Sequence, residues 1–301
     1  MSDDRLPVTT APIPVPIAVI DRAEALRKDL DRERAAGRTV GLVPTMGSLH
    51  AGHSALIRRA ASECDVVAVT IFVNPLQFGL GEDLADYPRD LAGDLEIAGE
   101  AGATVVFAPP TDEMFPGGRS ATTVTVGGLS EGLEGASRPG HFDGVATVVA
   151  RLFNLAGPCR AYFGEKDFQQ LAVVRRMVAD LGVPVQVVGC RTVRDTDGLA
   201  WSSRNRYLTG KERAAAAVLF RALEAGADAL GGRQRQAGEV RRVMAATVAA
   251  EPLALLDYAD VVDPDFLAPL DLVGPGSEVR LLVAAWVGGT RLIDNVAVTV
   301  P

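Results

Sequence analysis

Apolar residues in the first two thirds of the chain follow two alternating patterns. Short, nearly continuous apolar runs are typical of strands buried on both faces of a parallel sheet. These runs lie at 39–44, 66–73, 104–108, 161–163 and 184–188. Between them, apolar residues recur at every third or fourth position, which predicts helices. The helices are expected at 20–36, from the end of the first strand to about 62, at 88–101, at 142–155 and through 171–181.

Because strands alternate with helices, the sequence predicts an α/β fold with a doubly wound parallel sheet. After residue 192 the pattern changes. Residues 194–208 are polar, and two alanine-rich helices are expected near 211–230 and 235–250. Strands should follow at 256–262, 278–287 and 290–299, the last two joined by a hairpin at Gly288-Gly289.

These patterns divide the chain into three parts. Residues 18–192 are expected to form the parallel-sheet domain, and residues 193–301 a smaller α+β domain. The proline-rich residues 1–17 predict a mobile, extended arm. Residues 109–141 are irregular, and a loop of this length in a compact domain is usually functional. Within it, the alternation over Thr122–Val126 predicts a short edge strand.

Two histidines stand where the first strand passes into its helix. His50 and His53 are three residues apart, with Gly52 between them, and the chain contains three histidines in all. Unpaired N–H groups and the dipole at a helix start favour an anion such as a phosphate. A zinc site is disfavoured because no cysteine or third ligand lies nearby. Residues alone leave open whether the pair binds a ligand or only packs.

Other polar residues follow neighbouring strands. Gln77 comes after the second strand and Lys166 after the fourth. Ligands of open parallel sheets bind at the carboxyl ends of the strands, so these side chains and the two histidines should share one edge.

Composition narrows the function classes. A net charge of -8 argues against a nucleic-acid surface but allows a small anionic substrate in a local cationic pocket. Cys64, Cys159 and Cys190 are odd in number and widely spaced, which predicts reduced thiols in a cytoplasmic protein. No apolar run is long enough for a membrane span, and the first residues do not resemble a signal peptide.

Six motifs occur in an order that resembles the pantothenate synthetase (pantoate–β-alanine ligase) family. They are Pro44-Thr45-Met46-Gly47, His50-Ala51-Gly52-His53, Phe72-Val73-Asn74-Pro75, Gln77-Phe78, Gly164-Glu165-Lys166-Asp167 and Ser202-Ser203-Arg204-Asn205. The HxGH motif alone is shared across the nucleotidylyltransferase superfamily, whereas the ordered set is far more specific. The resemblance covers residues 18–300.

The resemblance implies a Rossmann-like first domain, a C-terminal lid domain, a homodimer, ATP as substrate and Mg²⁺. It implies a two-step reaction in which ATP and pantoate give pantoyl adenylate and pyrophosphate. The amine of β-alanine then attacks the acyl carbon, which releases pantothenate and AMP.

The resemblance also assigns roles residue by residue. His53 matches the proton donor, and His50, Lys166 and Arg204 are expected to be catalytic beside it. The implied ATP-binding residues are Pro44, Thr45, Met46, Gly47, Ser48, Leu49, His50, Ala51, Gly52, His53, Gly164, Glu165, Lys166, Asp167, Val193, Trp201, Ser202, Ser203 and Arg204. The implied pantoate and β-alanine residues are Gln77, Gln170, Asn74, Arg138, His141 and Tyr87.

The chain differs from the family at one residue of the site, and the resemblance leaves the protein ligands of Mg²⁺ unassigned. Trp201 stands where the family usually has Met, which puts ATP affinity in doubt more than the chemistry. No protein ligand of Mg²⁺ is assigned, because an ion held mainly by ATP phosphates needs few protein ligands. Asp94 and Glu96 are considered as outer contacts of the ion.

Two other functions compete with the ligase. A nucleotidyltransferase that joins a nucleotide to a phosphate substrate would share the histidine motif, but it should have Arg or Lys where this chain has Gln77 and Gln170. A non-enzymatic nucleotide-binding or scaffold protein is disfavoured because the residues of the site are intact: His50, His53, Lys166 and Arg204.

Overall fold

A computed structural model describes residues 17–79, 81–82, 84–117 and 120–301. The predicted arm at 1–17 therefore lies outside the described residues, except for Ile17. In the described part of the chain, no helix is long and apolar enough to cross a membrane. All three cysteines are free thiols.

The first part of the chain forms an all-parallel sheet with helices, as the sequence predicts, but the sheet has six strands where the sequence indicated five. Its strands are β1 (Ala18–Ile20), β2 (Val40–Thr45), β3 (Val66–Ile71), β4 (Val105–Phe107), β5 (Cys159–Gly164) and β6 (Val185–Cys190). The helices are α1 (Ala23–Ala35), α2 (Ala51–Glu63), α3 (Leu91–Glu100), α4 (Thr111–Met114), α5 (Glu134–Ser137), α6 (His141–Ala156) and α7 (Phe168–Leu181). The strand order is β1-β4-β3-β2-β5-β6.

The second part forms a separate antiparallel sheet of three strands. Its helices are α8 (Gly210–Ala216), α9 (Val218–Gly231) and α10 (Ala237–Ala249), and its strands are β7 (Ala254–Val262), β8 (Glu278–Val287) and β9 (Thr290–Thr299). The strands lie in the order β7-β8-β9. The predicted α/β fold with a smaller α+β part is thus confirmed.

The centre of the large sheet opens a crevice between β2 and β5. Strand β2 pairs with β3 over its whole length but with β5 only at Gly41 and Leu42. The carboxyl ends of β2 and β5 therefore separate where the strand order reverses. Such switch points are where open α/β sheets bind ligands.

Several expected elements differ from the structure. Residues 20–36 contain the end of β1 as well as α1. The helix expected at 88–101 begins at Leu91, because the Asp90 carboxylate caps it by accepting a hydrogen bond from the Gly93 N–H at 3.0 Å. The helix expected at 211–230 is interrupted at Ala217, where the backbone tightens to a ψ of -12°.

The predicted edge strand at Thr122–Val126 is wrong. Within the described residues this segment forms no strand and pairs with none. The Val124 N–H instead donates to the Thr147 hydroxyl on α6, at 2.9 Å. A side chain on a helix thus replaces the ladder partner that a strand would need.

Candidate active site

A cavity of about 250 Å³ lies at the carboxyl ends of β2 and β5, roofed by the loop at 191–204. Most of the residues that the sequence singles out line it. They are Pro44, Thr45, Met46, His50, Gly52, His53, Asn74, Gln77, Tyr87, Arg138, His141, Gly164, Lys166, Asp167, Gln170, Val193, Trp201, Ser202, Ser203 and Arg204. The cavity therefore brings together all four expected catalytic side chains.

A buried carboxylate shapes the loop between β2 and α2. Asp94 on α3 accepts hydrogen bonds from the backbone N–H groups of Ser48, at 2.9 Å, and Leu49, at 2.6 Å. Ser48 has a φ of +54°, a conformation that is strained for a residue with a side chain. Asp94 thus stabilises a loop conformation that is unfavourable for the backbone by itself.

The hydrogen bonds and the burial of Asp94 argue against its role as an outer contact of magnesium. Both of its oxygens already accept backbone hydrogen bonds, and only 3% of the residue is exposed. Glu96, two residues further along α3, is exposed to solvent. Among the described residues, no group of three or more His, Cys, Asp or Glu could hold a metal ion.

His50 caps α2 and lies against His53. The His50 Nδ1 accepts a hydrogen bond from the Gly52 N–H at 3.1 Å, so a neutral His50 carries its proton on Nε2. The two ring centroids are 4.1 Å apart. Gly52 permits this packing, because a Cβ there would lie 2.9 Å from the His50 ring.

Burial and neighbouring charges keep both rings neutral. Burial, followed by the charge of Lys166, lowers the pKa of His50 to about 4. Burial, followed by the nearby His50, lowers the pKa of His53 to about 3. The His53 Nδ1 is buried without a hydrogen-bond partner among the described residues. Each ring can therefore offer an N–H donor without carrying a charge at neutral pH.

The cation Lys166 faces the histidines from across the crevice. It lies in a short 3-10 helix, Glu165–Asp167, directly after β5. Its Nζ donates to the Asp167 carboxylate at 3.3 Å. Two carbonyls of this turn accept hydrogen bonds from the buried Asn295 of β9, at 2.9 and 2.8 Å. Asn295 is a residue that the sequence patterns gave no reason to single out.

The loop at 191–204 covers the cavity on the side of the second sheet. Its Trp201 ring stacks on His50, with centroids 6.2 Å apart and planes 27° apart. The Ser202 hydroxyl caps the following 3-10 helix, Ser203–Tyr207, by accepting a hydrogen bond from the Arg204 N–H at 3.3 Å. Two hydroxyls and a guanidinium are thereby presented beside the indole, which suits phosphate binding.

An amide pocket, formed by Asn74, Gln77 and Gln170, adjoins the histidines. The Asn74 Nδ2 donates to Gln77 Oε1 at 3.0 Å and to the Gly144 carbonyl at 3.0 Å. The Gln77 Nε2 lies 3.0 Å from the sulfur of Met46. Gln77 is thus oriented before any ligand arrives.

Helix α6 closes the amide pocket from behind. A Cβ at Gly144 would lie 2.2 Å from the Leu76 carbonyl oxygen and 2.6 Å from the Gln77 nitrogen. The absence of a side chain lets the helix touch the main chain that carries Gln77. The apolar lining includes four residues on one face of α6: Val145, Val148, Val149 and Leu152.

Arg138 and His141 form a polar cluster beside Gln77. Arg138 donates to Glu82 through Nε at 2.8 Å and lies 3.0 Å from the His141 Nε2. The His141 Nδ1 is 2.8 Å from the Gln77 carbonyl oxygen. A neutral ring protonated at Nδ1 satisfies both contacts. Burial, followed by the charge of Arg138, lowers the pKa of His141 to about 4.

Five residues expected at the ATP site do not line the cavity: Gly47, Ser48, Leu49, Ala51 and Glu165. The first three belong to the loop that Asp94 holds. Glu165 instead faces Arg280, at 3.5 Å. Lining residues that the sequence did not indicate include Arg191, Thr192 and Phe163.

The family model for pantoate-β-alanine ligase matches residues 18–297. The chain belongs to this family. The pantothenate synthetase of Heliobacterium modesticaldum is 54% identical over 270 residues, covering 89% of this chain and 95% of the relative. That of Deinococcus radiodurans is 55% identical over 261 residues, covering 85% and 92%.

Solved structures of pantoate–β-alanine ligases share the fold. The crystal structure of the pantothenate synthetase from Thermus thermophilus has a TM-score of 0.87 and 50% identity, covering 93% of this chain and 99% of that one. The ligase of Francisella tularensis, crystallised with β-γ ATP and β-alanine, has a TM-score of 0.74 and 32% identity, covering 93% and 97%.

Proposed function

We propose that this pantoate–β-alanine ligase forms pantothenate through an acyl-adenylate intermediate. The activity is the ATP-dependent joining of pantoate to β-alanine. The observation that carries the proposal is the crevice between β2 and β5. There two neutral histidines face Lys166 and Arg204, and the amide pocket opens beside them. This arrangement fits an acid activated by a nucleotide.

ATP is proposed to bind with its phosphates at the start of α2. The helix dipole, the Lys166 ammonium and the Arg204 guanidinium favour the anionic chain there. Ser202 and Ser203 add hydroxyl donors. Val193 and Trp201 are placed to contact the adenosine part.

The histidines are proposed to act as neutral donors in the first step. The pantoate carboxylate attacks the α-phosphorus, and the bond to the pyrophosphate oxygen breaks. Negative charge grows on the departing pyrophosphate, so fixed N–H donors help most at that moment. We assign the donor on the leaving group to His53 and the alignment of the phosphates to His50.

Pantoate is proposed to lie in the amide pocket. Neutral amides can orient its hydroxyl and carboxylate groups without pairing the carboxylate with a cation. A tight cation pair would weaken the carboxylate as a nucleophile. Gln77 and Gln170 therefore suit an attacking acid better than Arg or Lys would.

β-Alanine is proposed to enter beside the polar cluster of Arg138 and His141. Arg138 donates from Nη2 to the Gln77 carbonyl oxygen at 3.3 Å, so its positive charge is placed to attract the β-alanine carboxylate while the amine reaches the acyl carbon. Tyr87 packs edge-on against Phe78, with centroids 5.9 Å apart, and covers this end. The amine then displaces AMP from the adenylate.

The proposal also covers how magnesium binds, what each domain does and how the chain assembles. Among the described residues no cluster of metal ligands is preformed, so Mg²⁺ is proposed to enter on the ATP phosphates, where it neutralises their charge. Residues 18–192 are proposed to bind the substrates and residues 193–301 to act as a lid. A homodimer and a cytoplasmic location are also proposed, the latter from the free thiols.

The test is the release of pyrophosphate and AMP from ATP and Mg²⁺. Pantoate alone should release about one pyrophosphate per active site, and sustained AMP formation should require β-alanine as well. AMP that remains covalently attached to a phosphorylated product would instead support a nucleotidyltransferase. An enzyme that makes pantothenate but releases no pyrophosphate from ATP and pantoate alone would contradict the adenylate intermediate.

A further inference from the structure

Two adjacent buried residues of β9 reach the turn that carries Lys166. Asp294 and Asn295 are each 3% exposed. The Asn295 Nδ2 donates to the carbonyl oxygens of Glu165, at 2.9 Å, and Lys166, at 2.8 Å. Asn295 thus joins the second sheet to a turn of the first.

The orientation of the Asn295 amide is fixed by Arg280. Arg280 donates from Nη1 to Asn295 Oδ1 at 3.1 Å, and a guanidinium has no acceptor. The amide nitrogen must therefore face the two carbonyls. Arg280 is itself held, since its guanidinium carbon lies 3.6 Å above the centre of the Phe168 ring.

Asp294 makes the matching contact to the loop at 191–204. It forms an ion pair with Arg194, whose Nη2 lies 3.0 Å from Asp294 Oδ1. Arg194 also donates to the carbonyl oxygens of Gly198, at 3.0 Å, and Asn295, at 3.2 Å. One dipeptide of β9 therefore holds the Lys166 turn with one side chain and the Trp201 loop with the other.

We propose that Asn295 is a positioning residue that sets where the Lys166 ammonium lies. The inference rests on the proposed role of Lys166. The two carbonyls that Asn295 binds flank the Lys166 Cα, so they define the direction in which its side chain leaves the turn. Because Asp294 holds the neighbouring loop, the two nucleotide-binding walls move as one unit with the second sheet.

A different role would be simple satisfaction of buried polar groups. In that case loss of Asn295 would lower stability and reduce activity regardless of Lys166. If Asn295 acts through Lys166, its loss should matter only while the ammonium is present. A double-mutant cycle separates the two roles, since residues acting through one another are non-additive.

Asn295→Asp is the sharpest variant. It keeps the shape and the acceptor for Arg280 but replaces the donor by an oxygen that faces two carbonyls. We expect pantoate-dependent pyrophosphate release to fall about 10- to 100-fold, the scale of a small misplacement. In a Lys166→Ala background the same change should cost less than about twofold. Val296→Ala, a neighbouring packing change, is the matched control and should leave kcat and the KM for ATP unchanged.

Each result decides a different point. Equal losses in both backgrounds would overturn the positioning role while leaving the role of Lys166 intact. A Lys166→Ala enzyme with the normal rate would overturn both, because nothing would remain to be positioned. If Asn295→Asp does not fold, Asn295→Ser retains one donor. It should show a smaller loss with the same dependence on Lys166, and independence from Lys166 would overturn the inference.

Discussion

The Oδ1 atom of Asp94 lies 2.6 Å from the backbone nitrogen of Leu49, across 45 residues of sequence. The same carboxylate binds the N–H of Ser48, whose backbone has a positive φ. One buried side chain on α3 thus fixes the loop that leads into His50. The geometry of the proposed phosphate site therefore depends on a residue that touches no substrate in the proposed mechanism.

Replacing Asp94 by Asn should therefore weaken ATP binding and stability together. The Asn side chain has one oxygen, so it can accept a hydrogen bond from only one of the Ser48 and Leu49 N–H groups. Its NH₂ group would face the other N–H group, donor against donor. We expect the free energy of unfolding to fall by about 1–3 kcal/mol, the cost of an unsatisfied buried group. The KM for ATP should rise about tenfold, which corresponds to about 1.4 kcal/mol of binding. Urea unfolding and initial rates measure the two effects.

Glu96→Gln provides the control for Asp94→Asn. It is the same change of carboxylate to amide on the same helix, but at an exposed position. Stability, the KM for ATP and the dependence on magnesium should all stay unchanged. A Glu96→Gln enzyme that needs more magnesium would show that this carboxylate does contact the ion.

Replacing His53 by Ala should remove rate rather than ATP binding. The lost donor acts on the departing pyrophosphate, where charge develops, so kcat for adenylation should fall about a hundredfold or more. Single-turnover pyrophosphate release measures this. Arg58→Ala, on the exposed face of α2, is the matched control and should be neutral. Near-normal adenylation by His53→Ala would remove His53 from the mechanism.

The histidines should titrate below the normal range in the folded enzyme. The pKa of His53 is about 3, and those of His50 and His141 are about 4, against 6.5 in the unfolded chain. NMR spectra of ¹⁵N-labelled enzyme should therefore show three neutral rings from pH 8 down to about pH 5. A ring that becomes charged near pH 6.5 would contradict the neutral-donor mechanism.

Stability should depend on pH in the corresponding direction. A depressed histidine pKa means that the unfolded chain binds more protons than the folded chain between the two pKa values. The free energy of unfolding should therefore be largest above about pH 6.5. It should fall towards pH 4 by up to about 1.4 kcal/mol per pH unit for each histidine. Denaturant midpoints across this range measure the slope, and a flat profile would contradict the burial of the rings.

Trp201 should report nucleotide binding directly. The chain has two tryptophans, and the other is Trp286 on β8. In a Trp286→Phe enzyme the emission should change when ATP is added, because Trp201 stacks on His50 at the proposed nucleotide site. Trp201→Met should abolish the signal and alter the KM for ATP several-fold with little change in kcat. Emission insensitive to ATP would place the indole outside the nucleotide site.

The sequence predicted the parallel sheet because buried strands and amphipathic helices have distinct periods. It predicted which edge carries the polar residues because they follow strands directly. It failed at Thr122–Val126, where alternation occurs without a strand to pair with. Local pattern cannot show whether a neighbouring backbone is available, and here the Thr147 hydroxyl takes the N–H group.

The supporting residues of the site were harder to predict. Asp94 and Asn295 act on backbone groups that are distant in sequence, so neither has a motif of its own. The helical spacing of Val145, Val148 and Val149 can be read from the sequence. However, apolar residues that pack in a core have the same spacing as those that line a cavity. Only the separation of β2 from β5 shows that these residues face open space in part.

The lack of a side chain at Gly144 limits which substitutions could change the specificity of the proposed pantoate pocket. Even one methyl group there would overlap the main chain that carries Gln77. A substitution at residue 144 itself would therefore displace the main chain of Leu76 and Gln77 rather than narrow the pocket. A change in substrate size must come instead through side chains that face the cavity, such as Val145 and Val149. An engineer seeking a different acid should randomise those two positions and leave residue 144 as glycine.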